Sequence, residues 1–268
     1  MTQSQQPVPA NISHLLLDIE GTTCPVSFVA DTLFPYARDR LEPFLLEQRM
    51  NPLVRDLVAD IIHHWRQDPD PKAPDFNRDQ PSDDHGKENN HRRVVPYLQY
   101  LIDNDRKLTA LKDLQGMIWK QGYEKRELQA PLFTDVPPAL QLWYQQGLTL
   151  AVYSSGSTQA QQLLYRHSTS GDLSSLFKYW FDTRMGSKKD PGSYLRISEA
   201  MALHPETVLF ISDISSELDA ACKAGMRVLF SKREGNPDQD SGIFPAVTSF
   251  EAIRLPLLNT NQLSRHAE

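Results

Sequence analysis

Four short strings carry residues that could do chemistry together. Asp18-Ile19-Glu20-Gly21-Thr22 sets two carboxylates two positions apart, ahead of a glycine and a hydroxyl. In extended chain that spacing puts both side chains on one side. This suits a divalent cation, or a nucleophile with a neighbouring acid. A solvated strand end or turn explains the same string equally well. Ser154-Ser155-Gly156-Ser157 offers hydroxyls and backbone N–H groups ahead of a helix, either a phosphate seat or a plain N-cap. Met185-Gly186-Ser187-Lys188-Lys189-Asp190-Pro191 brings two lysines to a helix start. Lysine pairs are usually solvated, yet phosphate chemistry needs a strong cation, and Lys188 would supply it to an otherwise acidic set. Ser212-Asp213-Ile214-Ser215-Ser216-Glu217 adds Asp213 as a further cation ligand. Glu217 opens a helix, where an acidic side chain complements the dipole.

These strings need elements to bring them together. Ile12 to Leu17 is a short apolar run with the length of a buried strand, ending at Asp18. Leu148–Tyr153, Tyr179–Asp182, Thr207–Ile211 and Arg227–Phe230 read as further strands. Helical stretches at Asp135–Gln146, Ser157–Tyr165, Pro191–Leu203 and Ser216–Ala224 alternate with them. Such alternation predicts a doubly wound parallel sheet, an α/β fold with helices on both faces. In open sheets of this kind ligands bind beyond the carboxyl ends of the strands, where Asp18, Ser154 and Asp213 fall.

Between the first two strands the period is helical. Phe28, Val29, Leu33, Phe34, Ala37, Leu41, Phe44 and Leu45 predict a helix from Ser27 to Glu47. Helices about Leu53–Ile62, Val94–Asn104 and Thr109–Leu128 follow, with a polar, Pro/Asp/Asn-rich loop expected at 66–93. The expected organisation is a disordered tail at 1–11, an α/β core at 12–23 and 131–256, an inserted helical cap at 24–130, and a C-terminal tail at 257–268.

The formal charge of −6, with Lys and Arg scattered, argues against nucleic acid and anionic membranes as partners. A small-molecule phosphate ester remains possible, because a local basic site overrides net charge. No apolar run approaches the roughly 20 residues that span a bilayer. Two distant cysteines, Cys24 and Cys222, suit a reduced, cytoplasmic protein. Cys24 reads as a small buried side chain. The absence of a heptad or leftover apolar stripe predicts a monomer.

Acid pair, hydroxyls, lysine and aspartate occur in the order of the four motifs of the haloacid-dehalogenase superfamily, which the chain resembles over Leu15–Thr23 and Pro131–Phe230. The helical insert sits where that superfamily places a cap. One position departs from most of its phosphatases: Glu20 stands where a second Asp is usual. Asp18-Ile19-Glu20-Gly21-Thr22-Thr23, Phe34-Pro35-Tyr36, Tyr153-Ser154-Ser155-Gly156-Ser157, Gly171-Asp172, Phe181-Asp182-Thr183, Gly186 and Lys188 together resemble the enolase-phosphatases of methionine salvage, also called acireductone synthases.

The resemblance implies Mg²⁺ held by Asp18, Asp213 and an oxygen at Glu20, side chain or carbonyl. It implies attack by Asp18 on phosphorus, giving an aspartyl-phosphate, with Glu20 as acid and then base. Ser154, the Ser155 backbone and Lys188 would hold the phosphoryl oxygens. The implied substrate is 2,3-diketo-5-methylthiopentyl-1-phosphate, enolised and then dephosphorylated to an acireductone. No motif singles out the enolisation base. Phe28 and Phe34 could meet the methylthio end, though core packing explains them better, and Gly235-Asn236-Pro237 could border the site or form a surface turn. A phosphatase of the same fold for another small ester, a dehalogenase, and a non-catalytic phosphate-binding module are the rival readings. Intact Asp18, Glu20, Lys188 and Asp213 argue against the last of these.

Overall fold

The structure is a computed structural model that describes residues 11–76, 86–237 and 239–255. Nearly all of the expected N-terminal tail, the tail at 257–268 and residues 77–85 of the polar segment lie outside these residues. The chain divides into two compact units. One takes the described residues of Met1–Phe28 and Gln129–Glu268; the other is Val29–Leu128.

The first unit begins with β1, His14–Leu17, and the short α1, Val26–Phe28. The chain then runs through the second unit, which is all helical. A π turn at Val29–Leu33 leads to α2, Phe34–Glu47, followed by α3, Pro52–Arg66, and α4, Gly86–Arg93. The unit closes with α5, Val95–Asp103, and α6, Thr109–Glu124. Asn51 caps α3 with its side chain on Leu53 N, and Pro52 takes the first helical position, where its missing N–H costs nothing.

Back in the first unit come α7 (Val136–Gln145), β2 (Thr149–Tyr153), α8 (Thr158–Arg166) and β3 (Phe177–Phe181). They are followed by α9 (Pro191–Ala200), β4 (Val208–Ser212), α10 (Ser215–Lys223), β5 (Arg227–Ser231) and β6 (Ala246–Val247).

The six strands form one sheet in the order β3-β2-β1-β4-β5-β6, and every pairing is parallel. β1 and β4 are central and buried throughout except for the partly exposed His14. This is why both read as unbroken apolar runs. Leu16, Tyr153, Phe210, Tyr194, Ile197 and Leu218 pack into one core beneath the sheet. The order reverses at β1: the next strand in sequence lies on one side of it and β4 on the other. Asp18, Ser154 and Asp213 therefore follow three neighbouring strands, at a topological switch point.

Some sequence readings shift. The segment 66–93 is not a single loop, because Arg66 ends α3 and Gly86–Arg93 is helical. No apolar period announces α4, yet His91 in its last turn is buried. β3 runs from Phe177 to Phe181, two residues earlier at its start than the sequence suggests, and β6 was not foreseen. β6 is two residues long, too short to show a pattern. The helix expected from Ser27 to Glu47 is broken into α1, the π turn and α2, and Pro35, at the start of α2, lacks the N–H of a regular helical turn. Among the described residues no helix is long and apolar enough to cross a membrane.

Candidate active site

Asp18 sits one residue past β1, where its N–H still donates to Ile211 O of β4 at 3.0 Å. The chain turns sharply after it. Thr22, Thr23 and Cys24 all donate backbone N–H groups to Ile19 O, and Gly21 takes φ +72°, a region that favours glycine. Thr23 pins the turn: its hydroxyl reaches Asp18 O and Ile19 O, both at 3.3 Å, and Tyr165 Oη at 2.8 Å. The Asp18 carboxylate is buried. Oδ1 accepts from Ile19 N at 2.8 Å and pairs with Lys188 Nζ at 2.7 Å; among the described residues Oδ2 meets the Ser212 hydroxyl alone, at the long distance of 3.5 Å.

Lys188 reaches this carboxylate from the loop before α9. Three hydroxyls hold three successive carbonyls of that loop: Tyr153 on Gly186 O (3.0 Å), Ser193 on Ser187 O (2.8 Å) and Tyr194 on Lys188 O (2.7 Å). Gly186, at φ +120°, has no room for a side chain, since a Cβ there would lie 2.3 Å from Ser193 Oγ. Nζ of Lys188 also binds Glu217 Oε2 at 2.6 Å. Burial opposes its charge, but Asp18 and Glu217 outweigh that and raise its pKa. Lys189 is exposed, so only one member of the pair enters the site.

Glu217 belongs to this cluster. It does open α10, as the dipole reading requires, but its carboxylate also accepts from Ser212 Oγ at 2.9 Å and pairs with Lys188. Burial, then the Asp18 charge, push it up to about 7. Its place in the first turn of the helix that follows Asp213 was the available signal.

Asp213 follows β4 and is 2% exposed. Burial first, and the Asp18 charge second, push its carboxyl up to about 8. Oδ2 accepts from Asn236 Nδ2 at 2.9 Å, while Oδ1 is buried without a hydrogen-bond partner among the described residues. Two carboxylates that repel each other, one with an unpartnered buried oxygen, form a donor set suited to a hard cation. Among the described residues no three His, Cys, Asp or Glu side chains form a group that could hold a metal. Glu20 therefore does not complete a trio of carboxylates with Asp18 and Asp213. Its charge instead acts on the buried thiol of Cys24, which burial and then Glu20 push up.

Ser154 is buried at the end of β2, and its hydroxyl accepts from Gly156 N at 3.3 Å; Ser155 is exposed. Gln161 holds the loop from behind, donating to Gly156 O and Phe181 O at 2.8 Å each. Ser157 caps α8 through Ala160 N, so both readings of that string find a residue. Among the described residues no hydrogen bond joins Ser154 or Ser155 to Asp18, Lys188 or Asp213. The string Gly235-Asn236-Pro237 does form a turn, with Gly235 and Pro237 exposed, but Asn236 is turned inward and borders the site beside Asp213 and Gly21 O. Phe28 is buried, and Phe34 sets its ring edge-on to Trp119 at 6.1 Å.

Comparison with known proteins gives the family. A family model described as haloacid dehalogenase-like hydrolase matches residues 12–225. An enolase-phosphatase E1 of Synechococcus sp. (strain WH7803) is 47% identical over 249 residues, covering 91% of this chain and all of the relative. One from Prochlorococcus marinus (strain MIT 9313) is 52% identical, covering 85% of this chain and 92% of the relative. The crystal structure of the UTR4 protein of Saccharomyces cerevisiae superposes with a TM-score of 0.69 at 31% identity, covering 90% and 99% of the two chains. A solved dehalogenase at 17% identity, with a TM-score of 0.51, shares the fold. The chain thus belongs to the haloacid dehalogenase-like hydrolases and, among them, to the enolase-phosphatase family.

Proposed function

We propose that this phosphatase converts 2,3-diketo-5-methylthiopentyl-1-phosphate to an acireductone and phosphate in methionine salvage, through an aspartyl-phosphate on Asp18. The observation that carries the chemistry is Lys188 Nζ bridging Asp18 Oδ1 and Glu217 Oε2 at 2.7 and 2.6 Å beyond adjacent strand ends. The relatives named enolase-phosphatase E1 support the substrate.

Asp18 is the nucleophile. Its Oδ1 is held by Ile19 N and Lys188, which leaves Oδ2 the freer oxygen to attack phosphorus. Lys188 then neutralises charge on the phosphoryl oxygens, with Ser154 and the Ser155 backbone as further donors. Glu20 is partly exposed beside the turn, and donates a proton to the leaving alcohol before taking one from water. Such a role is worth about 10²–10⁴-fold. Asp18, Asp213 and the Glu20 carbonyl would hold one Mg²⁺ per chain; the absence of a three-carboxylate group among the described residues favours the carbonyl over the side chain. When bound, the ion supplies positive charge against the repulsion between carboxylate and phosphate. That repulsion is about 4 kcal/mol per charge pair at ~4 Å and an effective dielectric near 20. We read the protein as a cytoplasmic monomer whose partner is this small phosphate ester, and the helical unit as its cap.

The test supplies the diketo phosphate with Mg²⁺ and follows enol absorbance together with phosphate release. The expected result is a transient enol signal followed by stoichiometric phosphate. Phosphate release from generic esters, with no enol from the diketo compound, would assign the chain to another small ester. An Asp18→Asn variant that still releases phosphate would remove the nucleophile assignment.

A further inference from the structure

We propose that Asn236 is a positioning residue for the cation side of this site: its amide nitrogen ties the Gly21 carbonyl to the Asp213 carboxylate and so fixes which Asp213 oxygen is left to bind the ion. The inference rests on the cation reading above. Nδ2 of Asn236 donates to Gly21 O at 2.8 Å and to Asp213 Oδ2 at 2.9 Å. A side-chain amide carries two N–H groups, and both are used. Asn236 is 8% exposed and Asp213 2%, so neither group has bulk water as an alternative partner. With Oδ2 engaged, turning the Asp213 carboxylate breaks a buried hydrogen bond. Oδ1, buried and unpartnered, is thereby the oxygen presented.

The backbone around this contact is built for it. A Cβ on Gly21 would lie 2.0 Å from Asp213 Oδ2 and 2.7 Å from Asn236 Nδ2, so a side chain at 21 would displace the triangle. The loop that delivers Asn236 is itself held. Asn236 N donates to Arg233 O at 3.3 Å, and Gln239 Nε2 donates to Arg233 O at 2.7 Å and Asn236 O at 2.9 Å. Arg233 acts one residue further along the turn after β1, donating from Nε to Thr22 O at 3.3 Å. Its own guanidinium is gripped by both Asp135 oxygens, at 2.9 and 2.8 Å. One loop after β5 thus holds two successive carbonyls of the nucleophile turn, but only Asn236 touches a proposed ligand. That difference separates positioning from general stiffening.

The experiment titrates MgCl₂ calorimetrically into the metal-free full chain, without substrate, for wild type, Asn236→Ala, Asn236→Ser and Arg233→Lys. Circular dichroism checks each fold. Serine keeps a polar group but is one bond too short to reach both acceptors, so it stands in if the alanine variant does not fold. Hydrogen-bond partners of metal ligands are worth about 10–100-fold in affinity, and a loss of that size is expected for both Asn236 variants. Their turnover should recover at saturating Mg²⁺. Arg233→Lys should leave Mg²⁺ affinity unchanged while lowering the melting temperature. Wild-type affinity in the Asn236 variants, or an equal loss in Arg233→Lys, would overturn the assignment and leave the cation reading standing. Failure of the wild type to bind Mg²⁺ would overturn both.

Discussion

At the scale of single residues the site is a balance of three carboxyls against one ammonium. Lys188 contacts two of them directly. Lys188→Ala should therefore cost about 2–4 kcal/mol of transition-state stabilisation, about 30- to 10³-fold in kcat, by analogy with removed oxyanion donors. Steady-state phosphate release measures this, and a loss below about tenfold, or about 1.4 kcal/mol, would make Lys188 structural. Two of the three carboxyls, Asp213 and Glu217, set a pH dependence. Without a cation, Asp213 is raised from 3.8 to about 8 and Glu217 from 4.5 to about 7. The unfolded chain ionises first, so this contribution to stability is full below the unfolded values and is lost as pH rises through about 7 and 8. Melting temperatures of the metal-free protein should fall across that window. Mg²⁺ must displace the protons, so its affinity should rise over the same range, with proton release detectable by calorimetry in two buffers. Affinity independent of pH would contradict this. Asp18, Lys188 and Asp213 stood out in sequence because the two aspartates follow apolar strand runs and Lys188 lies in the loop ahead of a helix. Asn236 was legible only as one of two readings of its string, and the part Thr23 plays was not, because both depend on loops that meet only after folding.

At the scale of elements, residues 67–76 were expected to form part of a surface loop, yet they are tied down within the helical unit. Asp68, with its side chain 1% exposed, accepts from Tyr97 Oη and Arg106 Nη1, both at 2.6 Å, and Tyr97 also meets His64 at 2.7 Å. Burial opposes the Asp68 charge, but the hydrogen bonds from Arg106 and Tyr97 win and lower its pKa to about 2. Composition showed the polarity of this segment; it could not show that the polar groups find partners in α5 and the turn after it. Asp68→Ala removes the charged acceptor that Tyr97 and Arg106 share, leaving the Tyr97 hydroxyl with His64, and should cost about 1–3 kcal/mol in urea denaturation. An unchanged midpoint would show that the segment is held by other contacts. The Asp68 contribution is present above pH about 4 and is lost as pH falls through about 2, so acid should loosen this unit.

At the scale of the molecule, the parallel sheet was legible because β1, β2 and β4 are short apolar runs each followed by chemistry-bearing residues. The helical insert was legible because the apolar period changes from strand to helix spacing after Cys24. The short β6 and the polar α4 were not, since neither carries a period. Removing divalent cations with a chelator should stop phosphate release while leaving the far-ultraviolet circular dichroism unchanged, as expected if the ion serves the site rather than the fold. The central claim is that these strand ends make Asp18 a nucleophile toward phosphorus. Borohydride quenching during turnover reduces an aspartyl-phosphate to homoserine, which peptide mass spectrometry can locate. Homoserine at position 18, dependent on substrate and Mg²⁺, is the predicted result. Full turnover with residue 18 always recovered as aspartate, or homoserine at another carboxylate, would contradict the account.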